Sequence, residues 1–171
     1  MKDELIPIIE WAVWGNLDSK NDLELLILKG HLLLEIILDS ALDTNEICGY
    51  KNYSFYKKID CLKKLSVNEK QKFDLVISLL LEINSLRNKL AHEYFFKIQK
   101  GELESWAKKI LDNFDGTKYS KYTFRTKIVH GFSTLAKNII EITKQETTIA
   151  ANKGTASSGV DNTHFNSYAN L

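Results

Sequence analysis

Arg87, Asn88 and His92, inside the stretch INSLRNKLAHEY, carry the side chains best suited to chemistry at a phosphodiester. A guanidinium presents a planar fork of donors that grips phosphate or carboxylate through two bonds at once. An imidazole titrates near neutral pH and can move protons in either direction. The chain holds 23 lysines and arginines, yet only Arg87 and Arg125 are arginines. Against that lysine-rich background, an arginine late in an apolar helix reads as selected for its fork. The bland alternative is a surface cation beside a satisfied histidine.

Helical spacing sets the geometry. At about 100° per residue, Ala91 falls roughly 40° from Arg87, Asn84 roughly 60°, Asn88 roughly 100° and His92 roughly 140°. Leu86, Leu90, Ile83 and Tyr94 fill the opposite arc. Earlier in the same segment, Ile77, Leu80 and Leu81 occupy the arc that later carries Asn84, Arg87 and Asn88. A core stripe therefore turns polar at one end, with small Ser85 and Ala91 leaving room for an approaching group. A buried charge without a partner is costly, so Arg87 calls for an anion, a subunit interface or a wet cleft. Arg87 and His92 flank Asn88 instead of stacking in one row. Two such helices about a two-fold axis would complete a composite site, which makes a homodimer the expected assembly.

Other chemistries find less support. His92-Glu93 is not a zinc-protease motif, because position 96 is Phe96 where that motif has a second histidine. No carboxylate cluster points to a metal, and no cofactor is expected. Cys48 and Cys61 lack disulfide-framework or metal-site spacing and read as reduced thiols. Met1-Lys2-Asp3-Glu4 is acidic at once and unlike a signal peptide. Lys29, His31, Glu35 and Asp39 interrupt the apolar run Leu23 to Leu42, so it is not a membrane span. A soluble, cytoplasmic protein is the expectation.

The elements that must position the motif are helices. One proline and eight glycines in 171 residues leave long uninterrupted segments, with no strand-like alternation of useful length. Helices are predicted over 3–16, 21–42, 54–65, 67–96, 102–114 and 119–146. The first would turn Leu5, Ile8, Ile9, Ala12 and Val13 inward. The second, apolar nearly all round through LLILKGHLLLEIIL, would be central. Ser54 would cap the third, and Ser66-Val67-Asn68-Glu69 fits a capping box opening the fourth. The fold class is an all-α bundle of five to six helices over 1–146. The polar remainder, 147–171, reads as a disordered tail.

Charge is segregated along the chain. Residues 1–46 carry ten acids against three bases. Residues 51–72 carry seven lysines against Asp60 and Glu69, and residues 108–137 carry six lysines and Arg125 against Asp112 and Asp115. If the basic segments share a face, a polyanion could dock there; otherwise they are solvated helix faces. Lys57, Lys58, Lys63 and Lys64, near Tyr53, Phe55 and Tyr56, are the RNA-docking candidates, since lysines meet phosphates and aromatics stack on unpaired bases.

LRNKLAHEY resembles the signature of the HEPN superfamily (higher eukaryotes and prokaryotes nucleotide-binding): an arginine, a polar residue, a short spacer and a histidine in an all-α frame. GHLLLEIILDSAL is similar to an early HEPN helix bearing a buried glutamate, here Glu35. The resemblance spans roughly residues 20–145. It implies a metal-independent endoribonuclease of toxin or antiviral-defence systems, acting on RNA as a homodimer. His92 would exchange protons as a ribose 2′-hydroxyl attacks phosphorus. Arg87 would neutralise the growing oxyanion, Asn88 would orient phosphate or histidine, and a 2′,3′-cyclic phosphate would result. Tyr94 completes Arg-x4-His-x-Tyr, a form resembling toxins whose tyrosine is adenylylated by a nucleotidyltransferase antitoxin; alternatively Tyr94 is core. Glu35 would hold Arg87, or pair with a lysine or His31. A competing resemblance is to the mannitol-operon repressor family, which implies a non-catalytic regulator or adaptor with a protein or nucleotide partner.

Overall fold

A computed structural model of the protein describes residues 5–19, 22–92, 100–116 and 122–155. Within them the regular structure is helical: α1 (Leu5–Asp18), α2 (Leu23–Thr44), a 3-10 turn (Tyr50–Asn52), α3 (Phe55–Leu62), α4 (Lys70–His92), α5 (Lys100–Asn113) and α6 (Phe124–Thr155). No strand occurs among the described residues.

Local chemistry sets several boundaries. Asp22 is the N-cap of α2, its side chain accepting from the Leu25 amide at 2.8 Å. Ser54 caps α3 as predicted, its hydroxyl accepting from the Lys57 amide at 3.4 Å. The capping box at Ser66 does not open α4. The helix starts at Lys70, and the Glu69 carbonyl accepts the Phe73 amide at 2.9 Å. Residues 66–69 instead bridge the tight turn after Leu62 to the new helix.

The last helix also departs from expectation. α6 runs to Thr155, nine residues into the segment assigned to the tail. Between Lys144 and Ala151 the sequence contains no glycine or proline, so nothing local terminates the helix before Gly154. The remaining tail, 156–171, lies outside the described residues.

Centrality belongs to α6, not α2. Every residue from Ile128 to Ala136 is buried, Gly131, Ser133 and Thr134 included. α1, α2 and α5 pack around this helix. Trp106 of α5 is fully buried against Phe132 and donates from Nε1 to the Leu79 carbonyl of α4 at 3.0 Å. That bond ties α5 to α4 within an otherwise apolar layer. Gly30 lets α2 lie directly on α6, since a Cβ there would sit 2.5 Å from the Phe132 ring.

The inward face of α1 is also corrected. Val13 and Leu17 are buried, as is Glu10, while Ile8 and Ala12 are exposed. The Trp14 indole fixes this rotation by donating to His130 Nε2 at 3.0 Å. An apolar count on the helical wheel misses this, because the deciding contact is polar and reaches across 116 residues.

Candidate functional site

Three helices meet at the polar end of the α4 stripe. Ile83 and Leu86, on the arc opposite Arg87, are buried, and so are Ile77 and Leu80 on the arc that leads to it. One turn on, the same arc reaches the surface: Asn84 and Arg87 are half-buried, and Asn88 and Ala91 exposed. Arg87 Nη1 donates to the Asn88 side-chain oxygen at 3.2 Å. Among the described residues no carboxylate forms an ion pair with Arg87; the other arginine, Arg125, is bound to Asp18 and to the Leu17 carbonyl at the end of α1. The two arginines thus divide into a structural one and one facing outward.

His92 is the last residue of α4. Its side chain, and all of Tyr94, fall outside what the structure describes, as does the 93–99 connection. The backbone places His92 about 7.5 Å along the helix axis from Arg87.

A histidine that the motif does not contain stands beside it. His31 of α2 is only 7% exposed, and its Nε2 lies 3.1 Å from Asn84 Oδ1. Its ring lies against Phe55 of α3, centroids 4.0 Å apart. Burial lowers its pKa from the ordinary 6.5; the bond to Asn84 works against this, nearby Arg87 adds to it and Glu35 opposes it. His31 is therefore a neutral imidazole near pH 7. In the sequence it is the one aromatic polar residue in LLILKGHLLLEIIL, directly after the glycine that seats α2 on the core. That interruption was the available signal.

Glu35 does not hold Arg87. It pairs with Lys58 Nζ at 2.9 Å, and Asp39 pairs with the same ammonium at 2.7 Å. Lys58 is 3% exposed. Burial pulls its pKa down, but the bonds to Asp39 and Glu35 outweigh that and the net shift is upward. Lys58 is thus an internal cation shared by two carboxylates, not a surface lysine for RNA. The other three candidates are exposed. Lys57 lies over the Tyr53 ring at 4.2 Å, Lys63 pairs with Asp60 at 2.9 Å, and Lys64 follows it in the turn after α3. Phe55 turns inward to His31, whereas Tyr56 is exposed.

Ser85 does not flank Arg87. With Glu82, Leu86, Lys89, Glu102 and Ser105 it lines a cleft of about 460 Å³ between α4 and α5, on the other side of the helix. Among the described residues no three His, Cys, Asp or Glu side chains gather as a metal site requires, and Cys48 and Cys61 are free thiols.

Comparison with known proteins returned no matching family model, curated protein or solved structure. The site must be read from its own geometry. No described helix is long and apolar enough to cross a membrane.

Proposed function

We propose that the protein is a metal-independent endoribonuclease of the HEPN type, a toxin or antiviral-defence effector acting as a homodimer. The observation that carries this reading is Arg87: a half-buried guanidinium, braced by Asn88, with no carboxylate of the described residues paired to it. A buried-to-surface cation held in one orientation suits an anion supplied from outside. In the reaction, Arg87 stabilises the charge that accumulates on the phosphoryl oxygens. His92, five residues on, exchanges the protons of the attacking 2′-hydroxyl and the leaving 5′-oxygen. Asn88 limits the rotation of the Arg87 fork. Lys57, Lys64 and Tyr56 supply sequence-tolerant contacts to the strand. The partner copy contributes the second Arg87/His92 set, and an antitoxin or other defence protein restrains the activity.

The test is cleavage of single-stranded RNA in EDTA. Wild type is expected to cleave, leaving a 2′,3′-cyclic phosphate, and Arg87→Ala and His92→Ala each to lose at least about 100-fold, the span of one oxyanion donor or one acid–base group. Unchanged cleavage in both variants would sink the assignment.

A second reading is favoured by one observation. Leu25, Leu28, Leu32 and Ile36 form an aliphatic ridge along the outer side of α2, each between 40 and 56% exposed. Such a ridge suits a protein partner, as a non-catalytic regulator or adaptor would need. In that case the RNA assay shows nothing with any variant, and the ridge alone determines binding.

A further inference from the structure

Two asparagines border Arg87, and the carbonyl oxygen of each is occupied from within the protein. Asn88 Oδ1 accepts from Arg87 Nη1 at 3.2 Å. Asn84 Oδ1 lies 3.1 Å from His31 Nε2. An amide oxygen only accepts, so the contact requires His31 to carry its proton on Nε2 and donate. A neutral imidazole has a single N–H, and here that N–H is directed at Asn84. With both oxygens engaged, each amide presents its NH2 group away from its internal partner.

Asn84, Arg87 and Asn88 lie at i, i+3 and i+4, on one side of α4. All three offer N–H donors outward, and each amide oxygen already accepts one bond from within the protein. A surface so dominated by donors fits an oxyanion. We propose that Asn84, Arg87 and Asn88 form one phosphate-binding cradle, and that His31 is its positioning residue, fixing the amide of Asn84 so that its NH2 faces the ligand. This deepens the ribonuclease reading and rests on it for the source of the phosphate, an RNA backbone.

The surroundings make His31 suited to that task. Its ring packs on Phe55, centroids 4.0 Å apart, which favours the orientation that faces Asn84. Gly30, the preceding residue, is pressed against Phe132, which fixes the rotation of α2. Glu35 is engaged by Lys58 and so does not compete for the imidazole. Burial keeps His31 neutral near pH 7, and protonation would still leave a proton on Nε2. The cradle is therefore maintained across the titration of His31.

The experiment follows the side-chain amide resonances of Asn84 and Asn88 by 15N NMR while inorganic phosphate is added to the full chain. A parallel titration uses an oligonucleotide with 2′-deoxyribose throughout, which cannot be cleaved, read by fluorescence anisotropy. The Asn84 NH2 pair is expected to shift saturably with phosphate, and His31 Nε2 to show the 15N shift of a protonated ring nitrogen. Asn84→Asp, which replaces two donors by a charged acceptor, is expected to weaken oligonucleotide binding about tenfold or more. His31→Phe keeps the ring and loses the donor, and is expected to weaken binding several-fold. His31→Gln, whose amide can donate to Asn84, is expected to recover part of that loss, as a merely structural histidine would not require. RNA cleavage by wild type with a silent Asn84 amide and undiminished binding by Asn84→Asp would overturn the cradle while leaving the ribonuclease intact. A shifting amide with no RNA cleavage would support the cradle and remove the ribonuclease. The wild-type titrations need no variant, so a variant that fails to fold does not blunt the result.

Discussion

His31 and Asn84 are 53 residues apart, and no local pattern links them. The placement of Arg87 and Asn88 in consecutive positions of one helix is legible, but the bond between their side chains is not, since the sequence pointed Asn88 at phosphate or at His92. Their use of the 3.6-residue repeat could be drawn from the sequence alone. His31 is visible only as an interruption in an apolar run, and of the partners open to Glu35 (Arg87, a lysine or His31) the fold selects a lysine, Lys58. Long-range polar pairs of this kind depend on which helices become neighbours. The two buried histidines also carry a pH prediction. Burial lowers both His31 and His130 below the ordinary 6.5, against the opposing charges of Glu35 for the first and of Glu10 and Asp18 for the second. The unfolded chain then binds protons that the folded chain resists. Their contribution to stability is complete above pH 6.5 and is lost as pH falls through the lowered folded values. For His130 a hydrogen bond works in the same direction as burial: its Nε2 accepts from the Trp14 indole, and an imidazolium cannot accept. Glu141 acts in the opposite sense, since burial raises its pKa and favours the folded state once it is protonated. Thermal melts between pH 7.5 and 5 are expected to show a falling Tm, and a flat profile over that window would remove the histidine linkage.

At the scale of the element, the all-α class and the six helices were readable, because breakers are scarce and apolar residues recur at helical spacing. What failed were starts, stops and rotations. α4 begins four residues after Ser66, not at a capping box there, and α6 outlasts the change in composition that suggested a tail. Composition reports how well a segment is solvated, whereas the stretch from Lys144 to Lys153 holds no glycine or proline to interrupt the helix. The face of α1 was misjudged because a tryptophan–histidine bond, not an aliphatic count, sets its rotation. α2 was judged central for being apolar all round. Half of that circumference does enter the core, at Leu26, Ile27, Leu34 and Leu38, but the other half is the exposed ridge. The close seat of α2 on α6 gives a test of how the element positions the site. In Gly30→Ala the new methyl would stand 2.5 Å from Phe132, so the ring or the helix must shift. Overpacking of this kind costs about 1–3 kcal/mol. The expected outcome is a loss of that size in urea denaturation together with a disturbed His31–Asn84 contact, seen as changed His31 ring resonances. An unchanged midpoint would mean that Phe132 repacks freely.

At the scale of the molecule, several charges of the acidic and basic segments meet in ion pairs across the fold. Lys58 is taken inside by Glu35 and Asp39 of the acidic first third. Lys109 pairs with Glu82, Lys127 with Glu104, and Arg125 with Asp18. Such surface pairs are worth little individually, but they neutralise part of each basic segment. Under the proposed reading, the Asn84–Arg87–Asn88 face would supply the phosphate cradle, Lys57 and Lys64 would add contacts to the strand, and a second copy would double the cradle. The α2 ridge bears on how two copies would meet. Leu28 and Leu32 flank His31 on α2 at i−3 and i+1, so the ridge adjoins the helix face that touches Asn84. A two-fold axis passing through the ridge would bury its aliphatic residues against their counterparts and bring two Arg87 faces to the same side of the dimer. The double substitution Leu28→Glu with Leu32→Glu introduces charge at exposed positions only, so the monomer fold is expected to survive, as circular dichroism would report. Sedimentation is expected to show a dimer for wild type and a monomer for the double variant, with RNA cleavage falling in step. A monomeric wild type that cleaves RNA would confine the reaction to one copy. A dimer indifferent to the two glutamates would place the two-fold axis elsewhere and leave the ridge to a different protein partner.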